Sequence, residues 1–180
     1  PVDQVRLRKT LQEAISFYTR GIELRDARGP LKPTDTALVG ILEQLDRLIF
    51  ELGDAKEAED PAAARARIQV LLERFPDHAP FLHTLAIMCR DLDDFEAAEK
   101  AFRAAIAACP KENDWFRAQY LNNIGLLYEA ANRYTDAEAE YRRASELSGP
   151  GRLDGFENLG KLAFKLGSPK KALGFFKAVL

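Results

Sequence analysis

Cysteine is scarce in this sequence, with only Cys89 and Cys109 among 180 residues. Two cysteines cannot form the disulfide framework that stabilises many small secreted domains, so we expect a reducing compartment and a cytoplasmic location. The two residues fall on different predicted helices, at positions that should be too far apart to bridge. Both are therefore predicted to be small, buried hydrophobic side chains.

Long hydrophobic runs and an excess of one charge are missing as well. The apolar stretch from Phe81 to Cys89 is short and contains His83 and Thr84, whereas a membrane helix needs about twenty apolar residues. The 26 basic and 28 acidic residues nearly cancel, and the basic residues are spread along the chain. Non-specific nucleic-acid binding requires a positive patch. We therefore expect neither a membrane nor a nucleic acid as a partner.

Residue groups typical of catalysis or of metal binding are not apparent in the sequence. His78 and His83 are the only histidines, and a spacing of five residues makes them diverge on a helix. No cysteine or carboxylate completes a metal-binding set with them. The acidic run at 91–94 lacks the glycine and the later glutamate of a calcium loop, which favours a turn and helix cap. The sequence thus predicts no metal, no cofactor and no enzyme activity.

Helical periodicity is what the sequence does contain. Apolar residues recur at spacings of three and four almost throughout, and no stretch alternates long enough to indicate a strand. Proline and glycine divide the chain into about nine predicted helices, the first over about 3–28 and the second over 34–52. Asp60-Pro61 and Ser168-Pro169 each provide a helix cap followed by proline in the first turn. The fold class predicted is all-α.

An internal repeat becomes visible when the chain is compared with itself. One pass comprises Leu82, Leu85, Ala86, Cys89, Phe95, Ala98, Phe102 and Ala105. The second comprises Leu121, Ile124, Gly125, Tyr128, Tyr134, Ala137, Tyr141 and Ala144. The third comprises Phe156, Leu159, Gly160, Ala163, Ala172, Phe176 and Val179. The starts lie 39 and 35 residues apart, and residues 113–117, with Trp115, form the insertion that we expect to add a helical turn.

These passes resemble the tetratricopeptide repeat family, whose 34-residue unit is a pair of antiparallel helices. Small residues such as Gly125 and Gly160 occur where two helices must approach closely, and large residues fill the space beside them. The resemblance implies a right-handed α-solenoid of antiparallel helix pairs. Its predicted divisions are an N-terminal helix that caps the array or belongs to a partial repeat (1–33), a divergent helix pair with a long inter-helix loop (34–78), a unit with a short insertion (79–117), a second unit (118–152) and a truncated third unit (153–180).

The family resemblance also indicates a binding surface, because the first helices of such pairs line the inner, concave side of the array. Asn123 and Asn158 take the same position in successive units and, by resemblance, would hold the backbone of an extended peptide. An asparagine amide can donate to a carbonyl and accept from an N–H at once. The predicted inner-face binding residues are Gln119, Asn122, Asn123, Asn158, His83, Thr84, Arg90, Lys161 and Lys165. The sequence therefore predicts a scaffold that binds a protein or peptide partner in its concave groove.

Two alternative functions remain open on the sequence. The chain could be a regulatory or substrate-presenting arm of a larger enzyme, since Pro1 and the helical pattern that continues to Leu180 favour a piece of a longer protein. It could instead self-assemble, because Phe175, Phe176, Val179 and Leu180 would leave an apolar patch on the C-terminal helix. The sequence names no partner for any of these functions.

Overall fold

The computed structural model describes residues 4–26, 40–42, 44–48, 61–148 and 154–178. Every regular element within these ranges is an α-helix, which confirms the predicted all-α class. Eight helices have defined bounds: α1 (Gln4–Asp26), α2 (Pro61–Arg74), α3 (Ala79–Asp91), α4 (Phe95–Ala108), α5 (Asp114–Ala130), α6 (Tyr134–Ser148), α7 (Asp154–Lys165) and α8 (Pro169–Lys177). We call α3–α4, α5–α6 and α7–α8 the first, second and third unit.

The N-terminal helices share one core with the repeats. Helix α1 agrees with the helix predicted over 3–28, and its Ile15 and Ile22 are buried in the same cluster as Ile68 of α2. Residues 40–42 and 44–48 are helical, within the second predicted helix over 34–52. Its remaining residues, the loop at 53–59 and the predicted cap Asp60 lie outside the described residues. Whether α1 caps the array or belongs to a partial repeat stays a prediction.

The turn between the two helices of each unit repeats in backbone conformation. Asp93, Asn132 and Gly167 all have positive φ angles, of 58°, 59° and 72°. These residues are separated by the same 39 and 35 residues as the sequence passes. In each turn the next N–H donates to a carbonyl five residues earlier, as in Asp94 N to Cys89 O at 2.9 Å and Ser168 N to Ala163 O at 2.9 Å. The repeated turn therefore brings α4, α6 and α8 back against their partners by one mechanism.

Close packing within a unit depends on the small residues that the sequence singles out. A Cβ atom at Gly125 would overlap the ring of Tyr141, and one at Gly160 would overlap the ring of Phe176. In the first unit Ala86, Ala98 and Phe102 are fully buried. Each aromatic ring thus fills the space that a small residue leaves on the facing helix. This arrangement confirms the predicted solenoid of antiparallel helix pairs.

Three smaller sequence predictions agree with the structure. Helix α5 begins at Asp114, so the insertion at 113–117 adds a turn to its start, as expected. Trp115 and Phe116 pack edge to face on that turn, with ring centroids 4.6 Å apart, and both remain partly exposed. Cys89 and Cys109 are buried, free thiols, also as expected. Asp94 caps α4, with its side chain accepting from Ala97 N at 3.3 Å, which supports the cap interpretation of the acidic run.

Candidate functional site

The nine predicted binding residues lie on the first helices of the three units. Helix α3 carries His83, Thr84 and Arg90, helix α5 carries Gln119, Asn122 and Asn123, and helix α7 carries Asn158, Lys161 and Lys165. We call this set of residues the inner face. Its members differ in exposure and in the interactions that they already make within the array.

The predicted exposure of Thr84 and Asn122 is wrong. Thr84 is only 1% exposed and Asn122 only 7%. The physical reason is that neighbouring first helices cover one another in a solenoid, so a position facing the adjacent helix is lost to solvent. Thr84 hydrogen-bonds Asp46 of the preceding helical stretch, 44–48. Thr84 therefore belongs to the joint with the preceding helix, and Asn122 is likewise not on an accessible surface.

Asn123 is held by the preceding unit. Its Nδ2 lies 2.8 Å from Nε2 of His83, whose ring also packs at 4.8 Å, centroid to centroid, on the ring of Tyr120. Burial, aided by the nearby Arg90 charge, lowers the pKa of His83 to about 4. The imidazole is therefore neutral near pH 7, and its Nε2 accepts the hydrogen bond from the Asn123 amide. One amide N–H and the Oδ1 carbonyl of Asn123 are left for a ligand.

The charged side chains of the inner face are paired within the array. Lys165 donates to Glu129 Oε1 at 2.9 Å and so joins α7 to α5. Glu129 also accepts from the Tyr141 hydroxyl, through Oε2 at 3.1 Å. Lys161 forms an ion pair with Glu157, one helical turn earlier in α7, at an N–O distance of 2.6 Å. The inner face is therefore close to electrically neutral.

Arg90, the remaining charged member, is paired in the same way. Its side chain forms hydrogen bonds of 2.9 and 2.8 Å to Asp91 Oδ1.

Gln119 and Asn158 are partly exposed, and neither amide makes a hydrogen bond with another residue in the part of the chain that the structure describes. Gln119, Asn123 and Asn158 are consequently the amides available on the inner face.

Asp46 is a polar group near the inner face that the sequence analysis did not identify. Its Oδ1 is buried without a hydrogen-bond partner, as is Oδ1 of Asn122. Burial raises the pKa of Asp46 from 3.8 to about 6, although the hydrogen bond from Thr84 opposes this rise. The signal available was an acidic residue inside the apolar pattern of the helix predicted over 34–52. The helix pair over 34–78 departs from the regular repeat, so the sequence did not show which side of its first helix Asp46 occupies.

Two other classes of site, metal centres and membrane-spanning helices, have no counterpart in the described residues. No three histidine, cysteine or acidic side chains cluster there in a way that could hold a metal ion. None of the helices described combines the length and hydrophobicity required to cross a membrane.

Comparison with known proteins is consistent with this geometry. Residues 77–149 match the family model of the tetratricopeptide repeat. Intraflagellar transport protein 70B from Rattus norvegicus is 29% identical over 105 residues, which are 58% of this chain. The chain spans 15% of the length of that relative.

Solved structures share the fold across nearly the whole chain. The crystal structure of MamA superposes with a TM-score of 0.67 at 20% identity, covering 97% of this chain and 89% of MamA. Pseudomonas aeruginosa pilF superposes with a TM-score of 0.59 at 24% identity, covering 77% of this chain and 61% of pilF. The family match, the repeated turns and the helix-pair packing agree, and residues 77–149 of this chain resemble the tetratricopeptide repeat family.

Proposed function

We propose that this chain is a protein-interaction scaffold whose inner face binds an extended segment of a partner protein without catalysing a reaction. The observation that carries the proposal is the repeated placement of Asn123 and Asn158, each two residues before the glycine of its unit. Asparagines one unit apart would meet an extended backbone about every third residue, because packed helices lie roughly 8–10 Å apart and a strand rises about 3.3 Å per residue.

The pairing of charges on the inner face favours recognition of the ligand backbone. Lys165 and Lys161 are neutralised by Glu129 and Glu157, so they are poorly suited to attract a negatively charged ligand. Amides bind the peptide group itself, which every extended segment presents. We therefore expect an uncharged or weakly charged partner segment whose binding depends little on salt.

The test compares capture of partners by the wild-type chain and by an Asn123→Ala/Asn158→Ala variant. A photo-crosslinking residue placed at Gln119 would report what occupies the inner face in a native lysate. The matched control is Gln69→Ala, which removes an exposed amide from α2, a helix that carries none of the inner-face residues. Circular dichroism would verify that every variant is folded.

The expected result is a crosslinked partner that the double variant loses and the Gln69→Ala variant retains. Equal capture by all three proteins would contradict the proposal and place binding on another surface. The other two hypotheses, an arm of a larger enzyme and a self-assembling unit, stay predictions, as does the cytoplasmic location. The described contacts test none of them.

A further inference from the structure

Two successive joints of the array are joined by a hydrogen bond between a helical segment and the first helix of the unit that follows. Thr84 of α3 donates its hydroxyl to the carboxylate of Asp46 in the preceding stretch, 44–48. Asn123 of α5 donates through Nδ2 to Nε2 of His83 in α3, at 2.8 Å. In both joints the acceptor belongs to the earlier helix and the donor to the later one. We call these contacts the first and second rungs.

The donors of the two rungs occupy one position of the repeat. Thr84 and Asn123 each lie two residues before the small residue of their unit, and Asn158 has that place in the third unit. His83, the acceptor of the second rung, lies one residue before the donor position, and Asn122 is its counterpart in the second unit. The repeat therefore predicts a third rung, from Asn158 of α7 to Asn122 of α5.

Asn122 and Asn158 have the unsatisfied groups that a third rung would join. Oδ1 of Asn122 is buried and accepts no hydrogen bond, and the residue is only 7% exposed. The amide of Asn158, which can donate through Nδ2, makes no hydrogen bond within the described ranges. An unpaired buried acceptor costs free energy that a donor on the adjacent helix removes. Each residue therefore offers the kind of group that the other requires.

The packing of α5 against α7 sets these two positions opposite one another. The two helices are in contact. Glu129 and Lys165, which lie seven residues after Asn122 and Asn158, form an ion pair at 2.9 Å. Residues at this spacing are about two helical turns apart, so they lie on the same side of their helix. The sides of α5 and α7 that carry Asn122 and Asn158 therefore face each other.

We infer that Asn122 is a positioning residue for Asn158, whose Nδ2 donates to Asn122 Oδ1 as Asn123 donates to His83. The contact is formed by a rotamer change at Asn158, of the kind that partly exposed side chains make within nanoseconds. This role rests on the proposed function, because Asn158 needs a fixed orientation only if it binds a segment of a partner.

The third rung would give the two binding asparagines the same orientation. Asn123 and Asn158 would each use one N–H within the array and keep the other N–H and Oδ1 for the ligand. Two amides that present donor and acceptor in the same order, one unit apart, favour one direction of an extended backbone. We therefore expect His83 and Asn122 to make the inner face directional without touching the partner.

Side-chain amide signals of the full chain, measured by NMR without any ligand, test the third rung. A hydrogen-bonded N–H exchanges with water more slowly than a free one. We expect the Asn158 amide to exchange about fivefold more slowly than that of Gln119, and at a rate similar to that of Asn123. Asn122→Leu removes the acceptor at similar volume and should abolish the slow exchange. Asn122→Asp keeps an acceptor, of the kind that Asp46 provides in the first rung, and should preserve it.

Binding to the inner face is measured with a fluorescent peptide of alternating serine and threonine, which is uncharged and has little tendency to form a helix. Asn122→Leu should weaken binding of this peptide about fivefold, whereas Asn122→Asp should retain the wild-type affinity. His83→Phe keeps a ring beside Tyr120 but cannot accept from Asn123, so it should weaken binding to a similar extent. Gln69→Ala, on α2, is the matched control and should leave the affinity unchanged.

Stability separates a positioning role from a merely structural one. Asn122→Leu should leave the urea midpoint unchanged, because an apolar side chain replaces a buried oxygen and the partly exposed Asn158 amide can bond to water. A lower midpoint together with weaker peptide binding would assign Asn122 to the core instead, and would overturn the inference. Circular dichroism verifies the fold of each variant. If Asn122→Leu does not fold, the exchange rates of Asn158 and Gln119 in the wild type decide.

The exchange and binding measurements distinguish failure of this inference from failure of the proposed function. Equal exchange of the Asn158 amide in the wild type and in Asn122→Leu would overturn the inference, whatever the peptide does. Equal peptide affinity of these two proteins would also overturn it, provided that Asn123→Ala/Asn158→Ala loses the peptide. A peptide that binds the double variant as tightly as the wild type would contradict the proposed function, while slow exchange at Asn158 would still establish the third rung.

Discussion

The second and third units contain the same contact in different surroundings. Tyr141 fills the space beside Gly125, and Phe176 fills the space beside Gly160. Tyr141 is fully buried, whereas Phe176 is 39% exposed. The second unit is covered by helix pairs on both sides, and the third is covered on only one side in the described residues. A unit thus assembles its own helix pair, but its aromatic residue is enclosed only when another unit follows.

The largest expected effect on stability comes from replacing the two glycines of this comparison with a larger residue. Gly125→Leu should lower the free energy of unfolding by about 3 kcal/mol, because the enclosed ring of Tyr141 cannot move away from the added side chain. Gly160→Leu should cost about 1 kcal/mol, because the ring of Phe176 can turn outward toward solvent. Urea denaturation of both variants beside the wild type measures the two costs. Equal costs would show that enclosure by a neighbour does not decide how a unit tolerates overpacking.

A second prediction concerns Asp46, a polar group that is largely buried in the array. Asp46→Asn should raise the free energy of unfolding at pH 7 by about 2 kcal/mol, since it removes a buried carboxylate that must ionise. The raised pKa of Asp46, about 6, means that the wild type loses stability as pH rises from about 4 through 6. The advantage of the variant should therefore disappear near pH 4.

Urea denaturation across that pH range provides the measurement. His78 and His83, whose pKa values burial lowers from 6.5 to about 4, destabilise both proteins as pH falls below about 6.5. This effect has the opposite sign to that of Asp46, and it cancels when the two proteins are compared at each pH. A difference between variant and wild type that stays constant from pH 4 to pH 7 would contradict the burial of the ionised Asp46.

The smallest expected effect on stability concerns Arg103 and Lys177, which occupy matching positions in the first and third units. Arg103→Ala should lower the free energy of unfolding by about 1 kcal/mol, because the Tyr128 hydroxyl and the poorly exposed Glu140 lose a partner. Lys177→Ala, at the same position of the third unit, should cause no measurable change in the absence of a partner. Thermal unfolding of the two variants side by side is sufficient. A similar loss in both would mean that Lys177 already has a stabilising contact.

Much of the fold could be predicted because the repeat depends on the spacing of residues that lie close together in the chain. Gly125, Gly160 and the breaks at Ser168-Pro169 and 91–94 follow from residue size and backbone preference, and the structure confirms all of them. The inner face was harder, because three- and four-residue spacing identifies one side of a helix but not what covers it. Thr84 and Asn122 were predicted to be accessible for this reason, and the structure buries both.

The sequence by itself determined that this chain forms helices, that they pair, and that the pairs repeat at 39 and 35 residues. These properties depend on contacts between residues close in the chain, so periodicity and turn residues are sufficient to specify them. Only the tertiary structure decided that His83 holds Asn123, that Glu129 holds Lys165, and that Thr84 and Asn122 are buried. Those outcomes depend on how one unit packs against the next. The spacing of residues within a unit does not determine that packing.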